Sequence, residues 1–187
     1  ETIKELDRDR GELEGRIRGF VERLPNIPAE DVPAGGKENN RVVRAWGQKP
    51  SFSFEPRDHI DLVSLLGLVD YERGAKLGGS GFWIYTGDGA LLEWALLSYF
   101  IEDHRKDGYT FVLPPHILSY ACGYTAGQFP KFTEDVFHLQ REEEKGERRF
   151  LLPTSETALA SLHRDEVLSE QELPKRYFSY TPCYRKE

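Results

Sequence analysis

Apolar residues recur at heptad spacing from the start of the chain to Leu24. Ile3, Arg10, Ile17 and Leu24 occupy the a positions, Leu6, Leu13 and Phe20 the d positions, and mostly charged residues lie between them. This seam predicts a helix over 1–24 packed against a second helix. Gly11, Gly15 and Gly19 each weaken an unsupported helix by about 1 kcal/mol relative to Ala, so partner packing is expected to hold it. The segment reads either as one end of a helical hairpin or as a lone amphipathic helix on a domain surface. Leu24-Pro-Asn-Ile-Pro28 ends it in extended backbone, since residues before proline avoid the helical region. Residues 31–40 have the Pro, Gly and Asn content of a linker.

Beyond the linker the pattern shortens. Alternation over 42–46 predicts an edge strand, and residues 58–66 predict a helix capped by Asp58 and stopped by Gly67. A strand is expected over 82–85 and a helix over 90–106. That helix is apolar on nearly every face, from Leu91 through Ile101, which predicts burial on all sides and, in a domain this small, against a second subunit. A strand over 109–113 stops at Pro114-Pro115. Residues 136–140 and 149–152 read as a strand pair whose charged connection, 141–148, is a solvated hairpin tip. A helix is expected over 156–169. A last strand over 176–187 stops without turn or cap, as if cut from something longer.

Composition narrows the function classes. The 187 residues are 39% hydrophobic and 30% charged, and 11 Phe, 9 Tyr and 3 Trp suffice for a packed core. The longest nearly apolar run, 89–101, is too short for a bilayer span of about 20 residues, so no membrane partner is expected. No secretory signal opens the chain. Cys122 and Cys183 form neither a disulfide framework nor a zinc pattern, which favours a cytoplasmic setting; Cys183 reads as a buried strand cysteine. The formal charge of −7 requires any nucleic-acid contact to use a local basic patch or a segment outside the chain.

Familiar catalytic signatures fail. Gly78-Gly-Ser-Gly81 lacks the lysine and spacing of a phosphate loop, and His163-Arg164-Asp165 has Glu170 where a kinase loop needs Asn. The five histidines have no metal-ligand spacing, so no protein-held metal is expected. Two segments remain. In Thr181-Pro-Cys-Tyr-Arg-Lys-Glu187, the strand period puts Arg185 and Glu187 on one face, with Tyr184 and Lys186 on the other. In Phe150-Leu-Leu-Pro-Thr-Ser-Glu156, Thr154 and Glu156 share a face, and Thr154 reads equally well as a helix cap with Glu156 suiting the first turn.

The two segments, together with an apolar helix and a strand ending in proline, resemble the class II aminoacyl-tRNA synthetases. Residues 87–115 look like the family's first motif and Tyr184-Arg-Lys-Glu187 like its second. Leu24-Pro-Asn-Ile-Pro28, Thr125-Ala-Gly-Gln-Phe-Pro-Lys-Phe132, Leu152-Pro-Thr-Ser-Glu156, Leu162-His-Arg-Asp-Glu-Val-Leu168 and Leu173-Pro-Lys-Arg-Tyr177 place the resemblance in the seryl branch, in family order over the whole chain. The resemblance implies an α+β fold: an antiparallel sheet flanked by helices and preceded by the end of a coiled-coil arm. It divides the chain into a tRNA-binding arm end (1–24), a linker (25–48) and part of a catalytic domain (49–187), with the third motif beyond residue 187.

The implied activity is ATP-dependent activation of L-serine and its transfer to the 3′ end of tRNA(Ser), in protein biosynthesis. By resemblance Arg185 is the catalytic residue and contacts the α-phosphate, where a permanently charged planar fork suits phosphate oxygens. Glu187 accepts from the adenine amino group, and Lys186 belongs to the same nucleotide triplet. Thr154, Ser155 and Glu156 hold serine, with Glu156 facing its ammonium. ATP and Mg2+ are the implied cofactors, and a homodimer through the 90–106 helix is the implied assembly. Ser155 stands where the family commonly has Ala, and Lys186 where it commonly has Ser. A ligase acting on a carrier protein and a non-catalytic regulator are the competing readings; the arm argues against the first and retention of Arg185 and Glu187 against the second.

Overall fold

A computed structural model of the chain describes residues 2–139 and 148–186. The chain folds as two compact units, residues 30–107 and residues 1–29 with 108–187. Within residues 30–107, a 3-10 turn spans Lys37–Asn39. The edge strand expected over 42–46 is absent: no ladder partner among the described residues pairs with it, and Val43 and Trp46 stand about nine-tenths exposed. Alternation alone does not make a strand when nothing supplies the second row of hydrogen bonds.

Helix α2 covers His59–Leu65, and the Asp58 carboxylate accepts from Asp61 N at 2.9 Å as its cap. Gly67 then takes a left-handed turn, φ 65°. Strand β1, Val69–Asp70, pairs antiparallel with β2, Ile84–Tyr85. Between them α3, Tyr71–Gly78, is capped by Asp70, which accepts from both Arg73 N and the Arg73 guanidinium. Gly74 of α3 lies so close to the Trp83 backbone that a Cβ would overlap it. Helix α4, Asp88–Lys106, begins two residues before its expected start, with Gly89 tucked against the Leu68 carbonyl. No large side chain of α4 is buried in the single chain; Leu91, Leu92, Leu96 and Tyr99 are each more than half exposed.

The other unit begins with α1, Thr2–Val21, close to the heptad prediction. Ile3, Leu6, Leu13, Ile17 and Phe20 are all exposed, so the single chain leaves the predicted seam uncovered. The Tyr124 hydroxyl donates to the Glu22 carboxylate at 2.8 Å, tying the end of the arm to α5, Tyr120–Thr125. Strand β3, Thr110–Val112, runs parallel to β6, Tyr177–Ser179, and Phe111 stacks on Phe178. Strand β4, Ile117–Ser119, runs antiparallel to β5, Arg149–Leu151.

Of residues 136–140, expected to be the main partner of 149–152, the described 136–139 supply one bridge, His138 to Phe150, with Leu151 N donating to Phe137 O and Leu139 N to Arg149 O. Of the hairpin tip expected over 141–148, residues 141–147 lie outside the described residues. The core is Leu118, Phe129, Val136, Phe150, Leu152 and Ala158. Phe129 stacks on Tyr120 and meets Phe150 edge-on, so an aromatic cluster joins α5 to β5.

Three further expectations need correction. Helix α6 covers only Ser155–Leu159, not 156–169. Ser161 Oγ donates to the Thr157 carbonyl, the group a continuing helix would offer to the residue 161 amide, and the chain leaves in short turns with Asp165 at φ 64°. The last ladder covers Tyr177–Ser179 rather than 176–187, because Pro182 has no N–H to donate. From there the chain runs extended, held by Tyr184 N to Leu152 O and Lys186 N to Asp135 O, each 3.0 Å. Cys183 on this stretch is exposed, not buried.

Candidate active site

The extended stretch that carries Tyr184 and Arg185 is fixed from both sides. Tyr184 packs against the core and its ring lies 6.3 Å from that of His116. Period-two alternation therefore turns Arg185 the other way, where its Nε donates to the Pro153 carbonyl at 3.1 Å. Pro153 immediately precedes Thr154, so this bond ties the second candidate segment to the first. Arg185 and Thr154 both line a cavity of about 290 Å³, with Gln128, Phe132, Asp135, Val136 and Pro153 completing its wall.

Thr154 is indeed the N-cap of α6, its hydroxyl accepting from Glu156 N at 3.4 Å. The capping and cavity-lining positions are the same residue, so the two readings of Thr154 do not compete. Ser155 points elsewhere: its hydroxyl meets that of buried Thr181 at 2.6 Å. Glu156 lies exposed in the first turn of α6 and does not line the cavity. Lys186 donates its backbone N–H to Asp135 while its ammonium sits 6.0 Å over the Phe137 ring, so main chain and side chain have separate anchors. Glu187 lies outside the described residues. The structure thus brings Arg185 and Thr154 together, and leaves Ser155, Glu156 and Lys186 on neighbouring surfaces.

Gln128, Phe132 and Asp135 were not singled out as site residues by sequence reasoning. Two of them lie in the Thr125–Phe132 segment that carried part of the resemblance, which was the available signal; Asp135 follows in the 3-10 turn Thr133–Asp135. Chemically, the cavity joins one guanidinium, one carboxylate, one primary amide and one hydroxyl to apolar walls. That set can bind a zwitterion or a phosphoryl group by charge and by directed hydrogen bonds.

The chain is similar to known proteins along nearly all of its length. Residues 137–187 match the tRNA synthetase class II core domain (G, H, P, S and T). The chain is 60% identical over 185 residues to serine–tRNA ligase 2 of Clostridium acetobutylicum, covering 99% of the chain and 44% of that protein. It is 45% identical to serine–tRNA ligase of Sorangium cellulosum, covering 99% of the chain and 43% of that protein. Among solved structures, seryl-tRNA synthetase from Pyrococcus horikoshii complexed with ATP superposes with a TM-score of 0.86 at 30% identity, covering 98% of this chain and 45% of that one. The cytoplasmic serine–tRNA ligase of Naegleria fowleri in complex with AMP gives 0.84 at 27% identity, covering 98% and 43%. The chain therefore spans a little under half the length of these relatives. Over that span, in sequence and in fold, it is similar to the seryl branch of the class II aminoacyl-tRNA synthetases.

Proposed function

We propose that this stretch forms the ATP- and serine-binding part of a serine–tRNA ligase, which joins the serine carboxylate to the α-phosphate of ATP and passes the acyl group to the 3′ end of tRNA(Ser). The observation that carries this reading is the shared cavity of Arg185 and Thr154. Arg185 neutralises charge on the α-phosphate, and the Pro153 carbonyl fixes its guanidinium beforehand. Thr154 meets the amino acid on the same wall, and Glu156, one residue beyond the start of α6, receives the ammonium. Lys186 and Glu187 belong to the same nucleotide-binding triplet. No covalent enzyme intermediate is needed, so positioning and charge neutralisation carry the rate.

A magnesium ion accompanying ATP would supply further positive charge toward the phosphate oxygens. Asp135 is the carboxylate lining the cavity and a hard oxygen donor of the kind the ion accepts. Residues 1–24 serve as the end of a tRNA-binding coiled-coil arm, 25–48 as linker and 49–187 as part of the catalytic domain. Two copies associate through α4, in a cytoplasmic enzyme.

The test is amino-acid-dependent ATP–pyrophosphate exchange across all twenty amino acids, using the full-length protein that carries this stretch. Exchange with serine alone is expected, and exchange with another amino acid or with none would sink the reading. Arg185→Ala is expected to lower serine-dependent exchange by about 10²-fold or more; an unchanged rate removes Arg185 from the site.

A further inference from the structure

Thr157 is completely shielded from solvent yet carries a hydroxyl. Its Oγ1 donates to Oε1 of Gln128 at 3.0 Å, which satisfies the buried group. The bond has a consequence at the other end of the same planar amide. With Oε1 turned toward Thr157, the Gln128 NH2 group offers two donors, and no acceptor among the described residues takes them. Gln128 is also pinned through its backbone: its N–H and that of Phe129 both donate to the Gly123 carbonyl, at 3.0 and 3.1 Å. Phe129 in turn is locked in the aromatic cluster. Thr157 lies three residues beyond Thr154 on α6, so the helix that sets Thr154 in the cavity also orients the amide.

We infer that the Gln128 amide is a preorganised donor to an anionic oxygen of the substrate in the Arg185 cavity, held in its donating orientation by Thr157. The inference rests on the proposed function for the identity of that substrate. Gln128 touches the ligand and Thr157 is a positioning residue acting through it. Asp135 lines the same cavity and, with no cation on it, repels anions, so a donor beside the Arg185 guanidinium favours an anionic oxygen there. The oxygen belongs either to the amino-acid carboxylate or to a nucleotide phosphate, which share this chemistry.

Four variants of the full-length protein test the assignment. Gln128→Ala is expected to raise one KM by about ten- to a hundredfold with a smaller change in kcat, as for loss of a hydrogen bond to a charged group. Gln128→Glu is nearly isosteric and places a negative charge where a donor stood, so it is expected to raise the same KM further. Thr157→Val follows Gln128→Ala in direction, and Thr157→Ser, which keeps the hydroxyl, rescues it. A carboxylate ligand moves the KM for serine; a phosphate ligand moves the KM for ATP. Unchanged KM values in Gln128→Glu overturn the inference while the ligase reading stands.

A second readout does not depend on turnover. The side-chain NH2 signals of Gln128 in the ¹⁵N spectrum, assigned by their loss in Gln128→Ala, are followed during titration with L-serine, ATP and inorganic pyrophosphate. Displacement by at least one of these supports the inference, and no response to any of them overturns it. If serine-dependent exchange is absent altogether, the proposed function fails and this titration still decides the role of Gln128.

Discussion

Ser155 and Ser179 carry the same hydroxyl and stand in opposite situations. The Ser155 hydroxyl pairs with that of buried Thr181 at 2.6 Å, whereas the Ser179 Oγ on β6 is buried without a hydrogen-bond partner among the described residues. Removing a buried group's partner exposes the full desolvation cost, about 1–3 kcal/mol, while removing an unpaired group relieves it. Ser155→Ala is therefore expected to lower the urea midpoint and Ser179→Ala to leave it unchanged or raise it; a Ser155→Ala midpoint at or above the parent's contradicts this account. Glu172 gives a prediction in pH. The backbone N–H of Ser169, then its hydroxyl, then Lys175 hold the Glu172 carboxyl well below the ordinary value, at about 2. A depressed folded pKa means that this local contribution to stability is complete above the ordinary carboxylate pKa, near 4.5, and is lost as pH falls toward about 2. Ser169→Ala removes the hydroxyl and keeps the backbone donor, so a ¹³C titration is expected to move the Glu172 midpoint upward but not fully to 4.5. The same scale shows what was legible of the site. Arg185 and Thr154 followed from motif strings, but Gln128 and Asp135 reach the cavity only because the turn after α5 and the 3-10 turn at Thr133–Asp135 fold back on α6, which no spacing encodes.

Elements with their own start and stop signals were readable, and elements that exist only through pairing were not. The heptad gave α1, the Asp58 cap gave α2, and the apolar run gave α4 to within two residues. By contrast, residues 42–46 alternate and form no strand, while β1 is two residues long and exists because Ile84–Tyr85 lies beside it. The truncated α6 belongs to the same class, since it depends on which carbonyl the Ser161 hydroxyl selects. Glycine substitutions probe this difference directly. Gly15 occupies an f position of α1, away from the a/d seam, and a Cβ there meets nothing within 4 Å. Gly15→Ala is expected to stabilise α1 by up to about 1 kcal/mol and to raise helical ellipticity at about 222 nm. Gly74→Ala on α3 gains the same propensity but drives Cβ into the Trp83 backbone, which cannot yield as a flexible side chain would. It is expected to lower the melting temperature of the chain; equal effects of the two substitutions would mean that helix propensity, not packing, decides both.

For the whole molecule, the outstanding fact is how much large apolar surface the single chain leaves in water. On α4, Leu92, Leu96 and Tyr99 stand at i, i+4 and i+7, on one stripe of the helix, and all are more than half exposed. A 19-residue helix is about 28 Å long, and a stable interface covers about 800 Å² on each partner, so a second copy laid along this stripe would begin to satisfy that requirement. The stripe lies where the sequence pattern predicted burial on every side, and within one chain that burial is not achieved. The salt bridges on α1 do not substitute for it, because Arg8 with Glu12 and Arg10 with Glu14 are exposed pairs worth under about 1 kcal/mol each. If α4 is the self-association surface, Leu92→Glu with Leu96→Glu puts four like charges across a two-fold contact. Sedimentation is then expected to show the parent chain at about twice 21.5 kDa and the double variant at 21.5 kDa, with the far-ultraviolet spectrum retained. A parent chain that sediments as a monomer at every concentration, or a double variant that still pairs, would leave α4 exposed for some other reason and withdraw it from the proposed dimer.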